Sequence, residues 1–293
     1  MAPYPPADNK ITILRIIGRL NVGGPAIHVV NLTAGLSPER FRQVLIVGME
    51  SPTEGSMLDY AVAHGVQPVV IPEMITEFRF TLQDVWALAK LYRLIRQERP
   101  LIVHTHTTKA GFLGRLAARF AKVPVVVHTY HGHVLHGYYS PGKTQLLRRL
   151  ERVLAGFTTR LITVSEQVKQ ELMTYGVAPA AKITVIPLGF DLAPFLGAQR
   201  LRGQLRRELG LDESARLVGI VGRLFPLKNH RLFLEAAARI ATQEPAARFV
   251  IVGDGVLRPA LEAQAQALGM SDRVLFTGWR RDLPGIYADL DVL

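Results

Sequence analysis

ITILRIIGRLNVGGPAIHVV, Ile11 to Val30, is the stretch that decides the fold. Ile11 to Ile17 has the β-branched composition of a strand. The loop that follows carries Gly23 and Gly24, and Pro25 stands where the first turn of a helix tolerates a missing N–H. A strand, a glycine-bearing loop and a helix start, in that order, open a parallel βαβ unit.

Outward from this stretch the alternation repeats. Further strands are expected at Val44 to Val47, Pro68 to Ile71, Leu101 to His104, Val123 to His128 and Leu161 to Val164. Several are continuous apolar runs, as strands covered on both faces should be. Between them, Thr81 to Gln97 has a Thr cap with Asp84 three residues on, and Val85, Leu88, Tyr92 and Ile95 recur at helical spacing. The pattern breaks at VIPLGFDLAPFLGAQ, Val185 to Gln199, ahead of a basic helix expected over Arg200 to Leu209. It restarts with strands at Leu217 to Val221, Phe249 to Val252 and Val274 to Phe276, and helices over Lys228 to Ala241 and Leu257 to Leu268. The final DLDVL reads as the opening of another buried strand. The expected class is α/β, two Rossmann-like domains with parallel sheets flanked by helices, the second incomplete. The expected divisions are a disordered N-terminus over 1–9, a first domain over 10–186, a linker over 187–199 and a partial second domain over 200–293.

Composition narrows the function classes. The 293 residues are 48% hydrophobic and 20% charged, an ordinary globular mixture with room for two cores. No apolar run approaches the roughly 18 to 20 residues that cross a bilayer, and MAPYPPADNK lacks the basic and apolar regions of a secretory signal, so a cytoplasmic protein is expected. The absence of cysteine removes disulfides, thiolate nucleophiles and zinc–thiolate sites together. The formal net charge of +11 favours anionic partners. Much of the excess lies between Glu98 and Glu151, a span with no carboxylate that contains Arg99, Lys109, Arg115, Arg119, Lys122, Lys143, Arg148 and Arg149.

In doubly wound sheets ligands bind beyond the carboxyl ends of the strands, so the loops there are where chemistry is sought. Gly23 and Gly24 either let a ligand approach the backbone at a helix N-terminus or form a tight turn with no ligand. No complete GxGxxG follows a strand, which argues against a nicotinamide dehydrogenase. HTHTTKAG, His104 to Gly111, and HTYHGHVLHGYYS, His128 to Ser140, hold six of the nine histidines. The loops supply no acidic or thiolate partner and no metal-ligand spacing, so a polar pocket for a hydroxyl-rich or phosphorylated ligand is expected and no metal site. His131, beside Gly132, is the leading candidate, while His28, His64 and His230 read as solvated or hydrogen-bonded loop residues. In IVGRLFPLKNH, Ile220 to His230, Arg223 and Lys228 flank a strand-to-helix turn, where a guanidinium fork and an ammonium can hold phosphate oxygens. Solvated surface charge is the alternative.

GRLNVGGPAIHV, VHTHTTKAGFLGRLAA, HTYHGHVLHGYYS, TVSE, VIPLGFD, GRLFPLKNH, FVIVGDG and VLFTGWRRDLPGIYADLDVL, in this order from Lys10 to Leu293, resemble the family-4 (group 1) retaining glycosyltransferases of GT-B fold. The resemblance implies transfer, with retention, of a hexosyl-type sugar from a nucleoside-diphosphate sugar. UDP is the family's commonest carrier, and a glycan or lipid-linked acceptor of cell-surface polysaccharide or lipopolysaccharide synthesis is implied. It places Arg223, Lys228, Gly23 and Gly24 on the donor diphosphate, across a cleft from one another, and His131 beside the transferred sugar as the catalytic candidate. Gly278, Trp279 and Arg280 fall near the nucleotide base, and His104, His106, Lys109 and His133 in the acceptor pocket. No cofactor or metal is implied. Family members carry two glutamates shortly after the DVL strand, beyond Leu293, so a C-terminally truncated fragment is expected.

The helix with Arg148, Arg149 and Arg152 beside Leu146, Leu147, Leu150 and Leu154 suggests peripheral contact with an anionic membrane surface on the inner face of the cell membrane. A solvated helix face is the plain alternative. Nucleic acid is not an expected partner, because no binding motif accompanies the charge. A sugar-nucleotide epimerase of the same build and a non-catalytic sugar-nucleotide-binding remnant stay open as other functions.

Overall fold

The computed structural model describes residues 10–50, 54–75, 81–133, 135–136 and 139–293. The N-terminal stretch 1–9, read as disordered from sequence, lies outside the described residues, as do 134, 137 and 138 of the second histidine-rich stretch. The chain divides into two compact units, one of residues 10–50 and 56–190, the other of 54–55 and 191–293.

In the first unit, strands and helices alternate: β1 Ile11–Ile17, α1 Gly24–Ala34, β2 Phe41–Gly48, α2 Leu58–Ala63, β3 Val69–Ile71, α3 Leu82–Glu98, β4 Ile102–His106, α4 Thr108–Phe120, β5 Val125–Tyr130, α5 Pro141–Phe157, β6 Arg160–Thr163, α6 Glu166–Thr174 and β7 Ile183–Val185. The seven strands form one sheet in the order β3-β2-β1-β4-β5-β6-β7, and every pairing is parallel. Reversal of the strand order at β1 and β4 makes the ends of these two strands the switch point where such sheets bind ligands. One apolar layer, with Leu14, Ile16, Val103, Leu91 and Leu113, packs β1 and β4 against α3 and α4. On the opposite face Ile17, Val29, Val30, Leu45 and Val47 join α1 to β1 and β2.

Two close approaches explain why α4 has its sequence. A Cβ on Gly111 would stand 2.4 Å from the His128 ring, and one on Gly114 2.8 Å from Ile16 and Thr105, so small residues let the helix settle onto the sheet. Arg115, fully buried one turn on, donates to both carboxylate oxygens of Glu151 on α5 at 2.9 and 2.8 Å, and Lys109 pairs with Asp84 of α3 at 2.7 Å. Asp84 also accepts from the Thr81 N–H, completing the cap expected for α3.

The second unit contains α7 Gln204–Glu208, β8 Arg216–Val221, α8 His230–Gln243, β9 Ala247–Val252, α9 Arg258–Ala267, β10 Val274–Gly278 and α10 Leu283–Asp289. Its sheet runs β10-β9-β8, again parallel, and Val292 of the DVL stretch forms a parallel bridge to Val218 on β8. Phe249, Ile251, Leu234, Leu261 and Val274 form its core beneath α8 and α9.

Three expectations need correction. The basic helix over 200–209 is a 3₁₀ turn at Ala198–Leu201 followed by α7, because Gly203 takes a left-handed φ of 88° and the Asp289 carboxylate caps the N–H groups of Gly203, Leu205 and Arg206. The helix expected from Lys228 begins at His230, since Pro226–Lys228 is a 3₁₀ turn and Asn229 is left-handed with φ 51°. β7 enters the stretch read as a break, its three residues pairing with β6.

Candidate active site

β4 and β5 each run two residues past their expected ends, at His106 and Tyr130, so the histidine stretches are only partly loop. His104 and His106 lie on β4 and His128 on β5, all buried. Strand register explains how polar side chains are tolerated there: each meets another on a neighbouring strand. His128 Nδ1 lies 2.8 Å from Thr105 Oγ1, and His104 bridges Arg15 Nη1 at 3.0 Å and Thr129 Oγ1 at 2.8 Å. His106 Nδ1 is 3.0 Å from Nε2 of His131, which follows β5. His28 on α1 packs edge-on against His131 with ring centres 5.3 Å apart, so its reading as a loop residue is corrected.

This clustering determines protonation. Burial holds His104, His106 and His128 well below the ordinary imidazole range, helped by neighbouring cations and one another. Burial first, and His28 second, pushes His131 down to about 4. These rings are therefore neutral at pH 7.

Beyond β4 and β5 opens a pocket of about 230 Å³ lined by Thr107, Thr108, Thr129, His131, His133 and Glu151 among others. Thr107 has a φ of 62°, a conformation rare for a residue with a side chain, and its Oγ1 accepts from the Gly18 N–H at 3.1 Å. His133 donates from Nε2 to Glu171 of α6 at 2.6 Å. Of the residues expected around an acceptor, the structure places His133 in this wall beside His131. His104, His106 and Lys109 are not in the lining: the two histidines lie within the sheet, and Lys109 is buried against Asp84. Sequence reading missed Glu151, Glu171, Thr107 and Thr108. Glu151 was legible as a carboxylate on the stripe of α5 that buries Leu147 and Leu154.

Gly23 caps α1 with an extended φ of 161°. A Cβ on Gly24 would meet nothing within 4 Å, and one on Gly23 only the Pro25 ring at 3.8 Å. Among the described residues, nothing in the chain's own packing demands glycine at either position.

In the second unit the ends of β8, β9 and β10 crowd together. Gly253 N–H donates to Gly278 O at 2.9 Å, and a Cβ on Gly253 would lie 2.1 Å from Gly222 O. Arg223 leaves β8 here and pairs with Glu54 at 3.0 Å. Lys228 is exposed, its stem passing Gly222. His230 is 1% exposed, and neither ring nitrogen has a hydrogen-bond partner among the described residues, which overturns its reading as a solvated loop residue. Gly278 has a left-handed φ of 70°, Trp279 is half-buried, and Arg280 is held by Asp282 and by Glu208 at 2.5 and 2.7 Å, the first more than the second raising its pKa. Among the described residues no group of three or more histidines or carboxylates is arranged to hold a metal ion.

The basic span of the first unit is less of a surface than expected. Arg115 and Lys109 are buried in ion pairs, Arg148 donates to Leu135 O and stacks on Tyr175, and Arg152 donates to Gly176 O. Arg99, Arg119, Lys122 and Arg149 remain exposed.

Comparison with known proteins agrees with this geometry. The chain is 37% identical over 242 residues to UDP-Gal:alpha-D-GlcNAc-diphosphoundecaprenol alpha-1,3-galactosyltransferase of Escherichia coli, covering 81% of this chain and 62% of that protein. Among solved structures, Anabaena HepE in complex with UDP-glucose superposes with a TM-score of 0.74 at 23% identity, covering 96% of this chain and 72% of that one. UDP-GlcNAc 2-epimerase from Neisseria meningitidis, bound to UDP-GlcNAc, gives 0.61 at 19% identity, covering 95% and 74%. At these identities the two structures speak for the fold alone. The family model described as Glycosyl transferases group 1 matches residues 215–293. That described as Glycosyltransferase Family 4 matches residues 22–194, more than half of the sequence, and with two Rossmann-like units of parallel sheet the chain belongs to glycosyltransferase family 4, of GT-B fold.

Proposed function

We propose that the protein transfers a hexosyl-type sugar, with retention, from a UDP-sugar to a lipid-linked or glycan acceptor in the synthesis of a cell-surface polysaccharide or lipopolysaccharide. The observation that carries the reading is the pocket beyond β4 and β5, walled by hydroxyl and imidazole groups one strand from the β1–β4 switch point of a family 4 sheet. Such a wall suits the hydroxyls of a sugar. The acceptor class is supported by the 37% identity to a galactosyltransferase whose acceptor is diphosphoundecaprenol-linked.

The chemistry follows from the charges. As the bond between anomeric carbon and diphosphate breaks, negative charge grows on the leaving phosphate. Arg223 and Lys228 of the second unit are the donors assigned to that charge. The acceptor hydroxyl bonds to the anomeric carbon, and its proton passes to the departing phosphate. His131 bounds the transferred sugar, His133 the acceptor, and Gly278, Trp279 and Arg280 the nucleotide base. No metal is required, because these cations take its electrostatic role. No helix among the described residues is long and apolar enough to cross a membrane, and a peripheral position on the cytoplasmic face of the cell membrane suits a lipid-linked acceptor.

The test is incubation with UDP-galactose and a GlcNAc-diphospholipid, with the product's anomeric configuration read by NMR. An α-linked disaccharide lipid is expected; absence of any glycosylated lipid, where UDP binding is intact, would overturn the reading. The shared fold of the 2-epimerase supports a second reading, interconversion of the donor itself. Product analysis with UDP-sugar alone separates the two, since only an epimerase changes the sugar without an acceptor.

A further inference from the structure

Three arginines stand just beyond the strands of the second unit, and carboxylates hold them in different ways. Arg258 pairs with Asp254 and Glu262, each four residues away, at 2.9 and 2.8 Å. Arg280 is clasped by Asp282 and Glu208, each accepting through both oxygens. Arg223, two residues past β8, donates from Nη1 to Oε1 of Glu54 at 3.0 Å, and the two side chains are 28% and 16% exposed. Glu54 is counted with the second unit although it precedes Arg223 by 169 residues. It lies outside helix and strand, beside Gly55 with a left-handed φ of 64°, so no backbone ladder fixes its carboxylate.

To a guanidinium, a carboxylate and a phosphate are alike: each offers anionic oxygens to the same fork of N–H donors. To one another they are like charges. A diphosphate settling on Arg223 therefore meets a cation already offset by Glu54, and its own charge faces that carboxylate at close range. Lys228, the other cation assigned to the diphosphate, is exposed and makes no ion pair among the described residues. One of the two is open and the other is taken. A pair kept only to brace a fold is buried and tightly held, as Arg115 is by Glu151 and Arg206 by Asp289. The partly exposed contact of Arg223 with Glu54 is weaker and suits exchange.

We propose that Glu54 is an internal competitor for the diphosphate: it holds Arg223 when the site is empty and yields it to the nucleotide. The proposal rests on the diphosphate reading of Arg223. As the nucleoside diphosphate departs, Glu54 takes Arg223 back, which keeps affinity for the leaving nucleotide low and favours its release.

Titration of the 293-residue chain with UDP by calorimetry, and with uridine by NMR, tests it. Glu54→Gln keeps the shape of the side chain and removes its charge. It should tighten UDP roughly three- to tenfold and leave uridine, which has no phosphate, at its wild-type affinity. Glu54→Ala should act in the same direction and gives an independent reading. Equal tightening of UDP and uridine would overturn the competition, because the effect would then not pass through the phosphates. Arg223→Ala separates the proposal from the reading beneath it. UDP weakened by Arg223→Ala but unchanged or weakened by Glu54→Gln overturns the competition alone, whereas UDP unaffected by Arg223→Ala overturns both.

Discussion

Arg115 on α4 and Glu151 on α5 are joined through both carboxylate oxygens, at 2.9 and 2.8 Å, and the Tyr130 hydroxyl donates to the same carboxylate at 2.6 Å. Glu151 is part of the pocket wall, and Arg115 behind it is fully buried. Removing one partner leaves a charge stranded in the interior. Arg115→Leu should therefore lose about 3 to 5 kcal/mol of unfolding free energy. Urea denaturation checks this, and a loss below about 1 kcal/mol would mean that water reaches the carboxylate.

Acid should destabilise the first unit well before its carboxylates titrate. His131 has a folded pKa of about 4 against 6.5 when unfolded, and His104, His106 and His128 are also lowered. Between these limits the unfolded chain takes up protons that the folded chain refuses. Stability is thus full above the unfolded pKa and falls as pH drops from 6.5 towards 4, each histidine contributing up to about 1.4 kcal/mol per pH unit. The urea midpoint measured from pH 8 to 5 should decline below neutrality; a flat profile would mean these rings are charged in the folded state.

The alternation of strands and helices was legible because buried parallel strands are written as apolar runs. Polar strand ends were not. His104, His106 and His128 look like loop residues until their partners on neighbouring strands, Arg15, Thr129, His131 and Thr105, are known, and those partners are distant in sequence. The same non-locality hid Glu171, which reaches His133 from α6, and the pairing of Lys109 with Asp84. The turn at Arg223 to Asn229 was visible from its glycine, proline and cations, but the left-handed Asn229 that delays α8 was not.

Lipid contact should be carried by the outward face of α5. Leu146 and Val153 are 53% and 66% exposed there, either side of exposed Arg149, while Arg148 and Arg152 are occupied by backbone carbonyls. The protein should sediment with phosphatidylglycerol vesicles at low salt and leave them at high salt. Arg149→Glu with Leu146→Ser should weaken that association several-fold, roughly the 1 kcal/mol expected per basic residue or more. Equal sedimentation with neutral and anionic vesicles would remove the membrane proposal.

Calorimetric titration of UDP into the 293-residue chain tests whether Arg223 and Lys228 hold the donor diphosphate. Hydrogen bonds to charged groups contribute about 1.5 to 3 kcal/mol each, so Arg223→Ala or Lys228→Ala should weaken UDP at least about tenfold. UDP binding with the same affinity in wild type and both variants would remove Arg223 and Lys228 from the diphosphate site.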